Sequence, residues 1–283
     1  MAGQVAHPES LVETDWVAEQ LNDDSIRLVE VDVDLSSYAE AHIPGAIQWD
    51  WMSHLNTTVQ RDILSREEMS KLLGGCGVGR DTRVVLYGDN NNWFAAYAFW
   101  QMKLYGHDKV AMMNGGRRKW IGEGRETTTE VPTFASQSYS ASDVNEGLRA
   151  LRDHVLQAVR VESNVELVDV RTPAECNGEV IAPAHLPQEG AQRAGHIPGA
   201  SSIPWGQAVN ESDGTFKSVD ELKDLYGGKG ITGTREVITY CRIGERSSHT
   251  WFALTQLLGY ENIRNYDGSW TEYGSMMGVP IEL

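Results

Sequence analysis

Cysteine is scarce in this chain: three among 283 residues, Cys76, Cys176 and Cys241, with no Cys-x-x-Cys pair. Spacing that wide excludes a disulfide framework and a structural zinc site as the basis of the fold, so neither a metal nor a cofactor is expected. No run approaches the ~20 apolar residues that a bilayer span requires. The first residues, Met1-Ala2-Gly3-Gln4-Val5-Ala6-His7-Pro8, lack the basic and apolar regions of a signal peptide, and the expectation is a soluble, cytoplasmic protein. Basic residues are outnumbered, 24 Lys and Arg against 40 Asp and Glu, for a net charge of −16. Nucleic acids and anionic membranes demand a basic surface, and both are excluded as partners. What is present is ample apolar material, 41% of residues, in a length that suits two cores better than one.

The two halves echo each other. His42-Ile43-Pro44-Gly45-Ala46 returns as His196-Ile197-Pro198-Gly199-Ala200. Upstream of each lies a β-rich run with an acidic residue, Leu28 to Val33 and then Leu167 to Arg171. Downstream, Val85-Leu86-Tyr87-Gly88-Asp89 matches Val237-Ile238-Thr239-Tyr240-Cys241, and Asn114-Gly115-Gly116 answers Tyr266-Asp267-Gly268. A collinear repeat of this kind sets the architecture before finer detail does. Short Val/Ile/Leu runs alternate with amphipathic segments, the pattern of an α/β fold with a mostly parallel sheet flanked by helices. Helices are predicted over Trp16–Leu21, Arg66–Leu73, Trp93–Leu104, Val144–Val159, Val219–Tyr226 and Ser247–Leu258, with Asn92 and Ser218 as caps for the third and fifth. The Thr/Ser-rich stretch from Thr127 to Ser142 has no helical period. The expected organisation is an N-terminal domain over 1–130, a linker over 131–142 and a C-terminal domain over 143–283.

The copies differ in two places. Where the second has Cys241 the first has Asp89, followed by three asparagines, so only the second copy offers a sulfur nucleophile. The second also carries about seventeen extra residues, Cys176 to Gln192, before its His-Ile-Pro-Gly-Ala segment. Long loops inside compact domains are often functional, and this one is expected to rim a pocket or touch the first domain.

The segment Cys241-Arg242-Ile243-Gly244-Glu245-Arg246 follows a strand-like run and opens a predicted helix. A cysteine there meets the unpaired N–H groups and positive dipole end of the helix, and two arginines add fixed charge. Each favours the thiolate, the reactive form. The plainer alternative is a buried structural cysteine. Arginines one and five positions on argue against it, because burying them without anionic partners is costly.

Together the strand–Cys-Arg-x-Gly-x-Arg–helix loop, the two His-Ile-Pro-Gly-Ala segments, the Asp-x-Arg of Asp169 and Arg171, and the Asp-Gly-Ser-Trp of Asp267 to Trp270 resemble the tandem-domain rhodaneses, bacterial and archaeal type, over nearly the whole chain. The resemblance implies two rhodanese-like domains in tandem, the first non-catalytic. It implies a ping-pong sulfurtransferase: the Cys241 thiolate attacks the outer sulfur of thiosulfate, releases sulfite and becomes a persulfide, which cyanide or a thiol then relieves of its sulfur. The partners are thus a small-molecule donor and a thiophilic acceptor. Arg246 maps onto the family's substrate-contacting residue, Arg242 stands beside the nucleophile, and Arg171 is a further candidate for the donor pocket. Backbone N–H groups from Ile243, Gly244, Glu245 and Ser247 would cradle the persulfide. Two departures stand out. Glu245 puts a negative charge inside an anion pocket, to point outward or to pair with an arginine. Glu175 stands where some animal members carry a substrate arginine. His42, His196, His249 and Asp169 read as structural, and Trp205 and Trp270 as candidate pocket walls.

Three other functions compete. A 3-mercaptopyruvate sulfurtransferase typically has a smaller, less charged loop. A Cdc25-type cysteine phosphatase has five residues between Cys and Arg, where Cys241 and Arg246 have four. A non-catalytic sulfur-binding protein would match the first copy but not the second.

Overall fold

The computed structural model describes residues 3–160, 164–182 and 190–283. The chain forms two compact units. One holds His7–Asn145 together with Val209–Phe216. The other holds the N-terminal segment as far as Ala6, Glu146–Ala208 and Lys217–Leu283.

In the first unit, strands β1 (Leu11–Val12), β2 (Ile26–Glu30), β3 (Ile47–Gln48), β4 (Arg83–Tyr87) and β5 (Val110–Met113) form one parallel sheet in the order β1-β5-β4-β2-β3. Around it lie helices α1 (Thr14–Glu19), α2 (Ser36–Glu40), α3 (Trp51–His54), α4 (Arg66–Gly75), α5 (Trp93–Leu104) and α6 (Gly116–Gly122). β4 and β5 read as unbroken apolar runs because parallel strands are covered on both faces, and Val84 to Tyr87 and Val110 to Met113 are all buried. α4 starts at a capping box in which Ser65 and Glu68 exchange side-chain and backbone hydrogen bonds. Residues 129–145 hold neither helix nor strand. They lie along this unit through bonds such as Gln137 N to Gly74 O (2.9 Å) and Ser142 N to Tyr105 O (3.0 Å).

In the second unit, β6 (Val165–Asp169), β7 (Ser201–Ser202), β8 (Glu236–Tyr240) and β9 (Ile263–Tyr266) form a parallel sheet ordered β7-β6-β8-β9. Its helices are α7 (Arg152–Arg160), α8 (Pro173–Cys176), α9 (Val219–Gly227), α10 (Glu245–Phe252) and α11 (Ser269–Tyr273). α10 runs on as a π-helical turn over Ala253–Leu257. Ser218 caps α9 through a second capping box, with Glu221. No helix among the described residues is long and apolar enough to cross a membrane.

The sequence repeat is visible at the level of single bonds. In each sheet the central pair brings an acidic residue level with a tyrosine, Glu30 with Tyr87 and Asp169 with Tyr240. The tyrosine hydroxyl donates to that carboxylate and accepts the amide of the isoleucine in the nearby His-Ile-Pro-Gly-Ala, from Ile43 at 3.2 Å and from Ile197 at 3.1 Å. The motif itself is a turn closed from Ala46 N to Ile43 O and from Ala200 N to Ile197 O, and its glycine takes φ near +78° and +76°. A side chain at that glycine would be strained, which is why the turn repeats intact.

Two sequence expectations differ from the structure. The helix predicted over Val144–Val159 is a short 3-10 turn, Glu146–Leu148, and then α7. Between them the chain pairs with β9, Ala150 N donating to Asn265 O at 2.9 Å, and sheet pairing overrides helical propensity. Asn92 does not cap α5. Its backbone is left-handed (φ +67°), and its side chain accepts from Gly88 N and donates to Met113 O.

Candidate active site

β8 ends at Tyr240, and the chain turns through Cys241–Gly244 into α10. The turn is held from both sides. Cys241 N donates to Ser269 Oγ (3.0 Å), which in turn donates to Tyr266 O, while Trp270 N and Thr271 N donate to the carbonyls of Cys241 and Arg242. Gly244 adopts φ +102°, and a Cβ there would lie 2.6 Å from the Asp267 Cα, so glycine alone fits. Its carbonyl gathers the Ser247 hydroxyl, the Ser248 hydroxyl and the Asn265 amide, at 3.0, 2.7 and 3.0 Å.

The result is a collar around the Cys241 sulfur. Gly244 N donates to Sγ at 3.2 Å, and the amides of Ile243 and Ser247 also favour negative charge on it. Cys241 is 0% exposed. Burial pushes the thiol above its ordinary value, and the neighbouring Glu245 charge adds to this, against the pull of Arg246 and the amides. The sequence expectation of a favoured thiolate is therefore not met in this loop. Dipole and arginines act as anticipated, but desolvation outweighs them.

Both arginines face one carboxylate. Arg246 Nη1 and Nη2 donate to the two oxygens of Glu175 at 3.1 Å each, and Arg242 Nε lies 3.6 Å from Glu175 Oε1. Glu175 is fixed from its own helix by a capping box, in which Thr172 N and Oγ1 donate to Oε2. Burial alone would raise its pKa, but Arg246 and Thr172 hold the carboxyl down at about 2. Arg246 in turn keeps its proton more firmly than usual: burial opposes the charge, but Cys241, Glu175 and Glu245 more than offset that. Glu245, expected outward or on an arginine, turns inward. It is 2% exposed, its Oε2 accepts from the Cys241 thiol at 3.3 Å, and its Oε1 lies 3.9 Å from Arg246 Nε.

The other predicted residues fall around this centre. Arg171 is wholly buried, its Nε and Nη2 on Asp169 and Nη2 also on Gly195 O (2.7 Å), above the ring of Trp270. Asp169 also receives the Tyr240 hydroxyl, a structural role. Trp270 donates to Arg193 O, and Trp205 meets His249 edge-on. His249 is fully buried and drops to about 3 through burial, so it is neutral. His42 and His196 bond to backbone carbonyls, of Tyr38 and Glu130 and of Cys176. Cys176 is buried beside Asp169, and burial together with that charge raises its thiol. Of the insertion over Cys176–Gln192, residues 183–189 lie outside the described residues. Sequence reasoning gave no role to Ser269, although it stands in the Asp-Gly-Ser-Trp motif, missed Asn265, which carries no motif, and noted Glu175 only as a departure.

In the first unit the corresponding turn holds Asp89. Its carboxylate accepts from Val33 N (2.8 Å) and Asp34 N (3.1 Å), and Asn90, Asn91 and Asn92 all take left-handed backbone. A short polar side chain tolerates that region better than others do.

The rhodanese-like domain family matches residues 13–123 and 153–276. A Saccharopolyspora erythraea protein named "Putative thiosulfate sulfurtransferase" is 55% identical over 278 residues, covering 98% of each chain. The sulfur carrier protein TtuD of Thermus thermophilus is 54% identical over 98% of this chain and 97% of its own. Among solved structures, the 3-mercaptopyruvate sulfotransferase SseA of Escherichia coli superposes with a TM-score of 0.79 at 25% identity, over 92% of this chain and 98% of its own. With both matches falling on a parallel sheet and the second spanning the Cys241 loop, the chain belongs to the rhodanese family, with two rhodanese-like domains in tandem.

Proposed function

We propose that this sulfurtransferase of the rhodanese family takes sulfane sulfur from thiosulfate onto Cys241 and passes it to a thiophilic acceptor by a ping-pong route through a cysteine persulfide. The observation that carries the reading is the position of the Cys241 sulfur inside a ring of backbone amides, Gly244 N at 3.2 Å, at the start of α10. Such a ring suits a terminal sulfur that carries negative charge throughout the cycle. In this reading the domain over 143–283 does the chemistry, and the domain over 1–130 does none, its Asp89 carboxylate serving its own loop.

Arg246 and Arg242 receive the donor. Glu175 holds both guanidiniums in place beforehand, the preorganisation that anion binding at a reacting centre requires. Because Glu175 also cancels part of their charge, cationic density does not by itself separate thiosulfate from 3-mercaptopyruvate. What favours thiosulfate is the 55% identical relative that carries its name. Arg171 belongs to the frame of the site rather than to the donor, since Asp169 and Gly195 take its Nε and Nη2 groups. A protein thiol as acceptor is the second reading, supported by the 54% identical sulfur carrier.

Intact mass spectrometry after incubation with thiosulfate tests the proposal. The expected result is one added sulfur atom, lost on adding cyanide and absent from Cys241→Ser. A wild-type mass unchanged by thiosulfate would overturn the donor assignment.

A further inference from the structure

An acidic residue inside an anion-binding loop needs a reason, and Glu245 is that residue. Its carboxylate is buried, and it is the carboxylate to which the Cys241 thiol is hydrogen-bonded among the described residues, at 3.3 Å. The other ionisable groups around it cannot take up a proton from the thiol. Arg246, at 3.9 Å, and Arg242, on the loop, are donors only. Glu175, from α8, is filled by Arg246 and Thr172. Asp267, at the turn between β9 and α11, is gripped by Arg149 through bonds of 2.9 and 2.8 Å. His249, one turn along α10, is made too weak a base by burial, which holds it at about 3.

We propose that Glu245 is a catalytic residue: it accepts the Cys241 proton as the persulfide forms and returns it to the departing sulfite. The proposal rests on thiosulfate and Cys241 having the roles given above. The proton passes from Sγ to Oε2, the thiolate pair forms a bond to the outer sulfur of thiosulfate, and the sulfur–sulfur bond of thiosulfate breaks with its pair on sulfite. The reaction is Cys–SH plus S2O3²⁻ giving Cys–S–S⁻ plus HSO3⁻, with atoms and charge conserved and no external base. Two anions in contact in a dry site repel, so Cys241 and Glu245 share one proton. The site then never carries thiolate and carboxylate together beside an incoming dianion. This removes the objection that Glu245 weakens an anion pocket.

The test is single-turnover persulfide formation from thiosulfate, followed by intact mass from pH 5 to 10, in the full-length wild type, Glu245→Gln and Glu245→Asp. The wild type is expected to hold a flat rate through neutral pH, with its acid limb in the carboxylate range. In Glu245→Gln the thiol must ionise on its own in the same buried setting, so the limb moves up to the ordinary thiol range or beyond, and at pH 6.5 the rate falls at least about a hundredfold. Glu245→Asp retains the flat profile at a lower plateau. A wild-type limb in the thiol range, or a Glu245→Gln limb displaced to lower pH with an equal or faster rate at pH 6.5, would show Glu245 to be a mere counter-charge and sink the proposal. Should Glu245→Gln not fold, the wild-type and Glu245→Asp profiles decide alone. A wild type that gains no sulfur at any pH overturns the donor reading, and this proposal with it.

Discussion

Replacing Glu175 with glutamine deletes one charge and almost no volume from the centre of the arginine cluster. Glutamine approximates the protonated carboxyl, so the loss can be worked from the ionisation. The fall of the Glu175 carboxyl from 4.5 to about 2 corresponds to about 3 kcal/mol of stabilisation at pH 7. Removing one partner of a buried ion pair costs about 3–5 kcal/mol in general, which agrees. The folded carboxyl is the stronger acid, so the contribution is complete above the unfolded value of 4.5 and is lost as pH falls toward 2. It shrinks to about 2 kcal/mol at pH 3.5. Urea unfolding of the wild type and Glu175→Gln at several pH values between 3.5 and 7 measures the gap, with an unchanged denaturant slope showing that the unfolded state is not the cause. A gap below about 1 kcal/mol at pH 7, or one that does not narrow in acid, would refute the claim that the pair is preformed and dry.

Two more outcomes follow from the turns themselves. Gly244→Ala places a Cβ against the Asp267 backbone at φ +102°; it is expected to cost more than about 1 kcal/mol and to abolish sulfur uptake by Cys241, read by thermal melt and intact mass. Asp89→Cys, made in a Cys241→Ser background, is expected to take no sulfur from thiosulfate. It should also lose about 1–3 kcal/mol, because the amides of Val33 and Asp34 lose their acceptor. Sulfur gain at residue 89 would mean that the first copy kept a working loop.

The elements legible in the sequence are those fixed by local pattern. α5 has the predicted bounds, Trp93–Leu104, because an apolar twelve-residue run between a turn and a glycine leaves little choice. The paired His-Ile-Pro-Gly-Ala turns and the strand before Cys241 follow for the same reason. What local pattern could not supply is long-range pairing. The break at Ala150 depends on Asn265, and the clamp on Arg246 depends on a glutamate 71 positions away. The left-handed run at Asn90–Asn92 defeats a capping rule that assumes extended backbone at the cap. Local charge gave the correct sign for the amides and arginines but not the state of Cys241, because burial is a property of the assembled unit.

Neither compact unit is encoded by one continuous stretch of chain. The first takes in Val209–Phe216, where Phe216 N donates to Asn114 Oδ1, and the second takes in the opening residues, where Ala6 N donates to Leu257 O. During synthesis, the earlier-made unit cannot be completed until residue 216 has left the ribosome, although most of its sheet emerges far sooner. Severing the chain near residue 142 would likewise release two fragments, each short of one piece of itself.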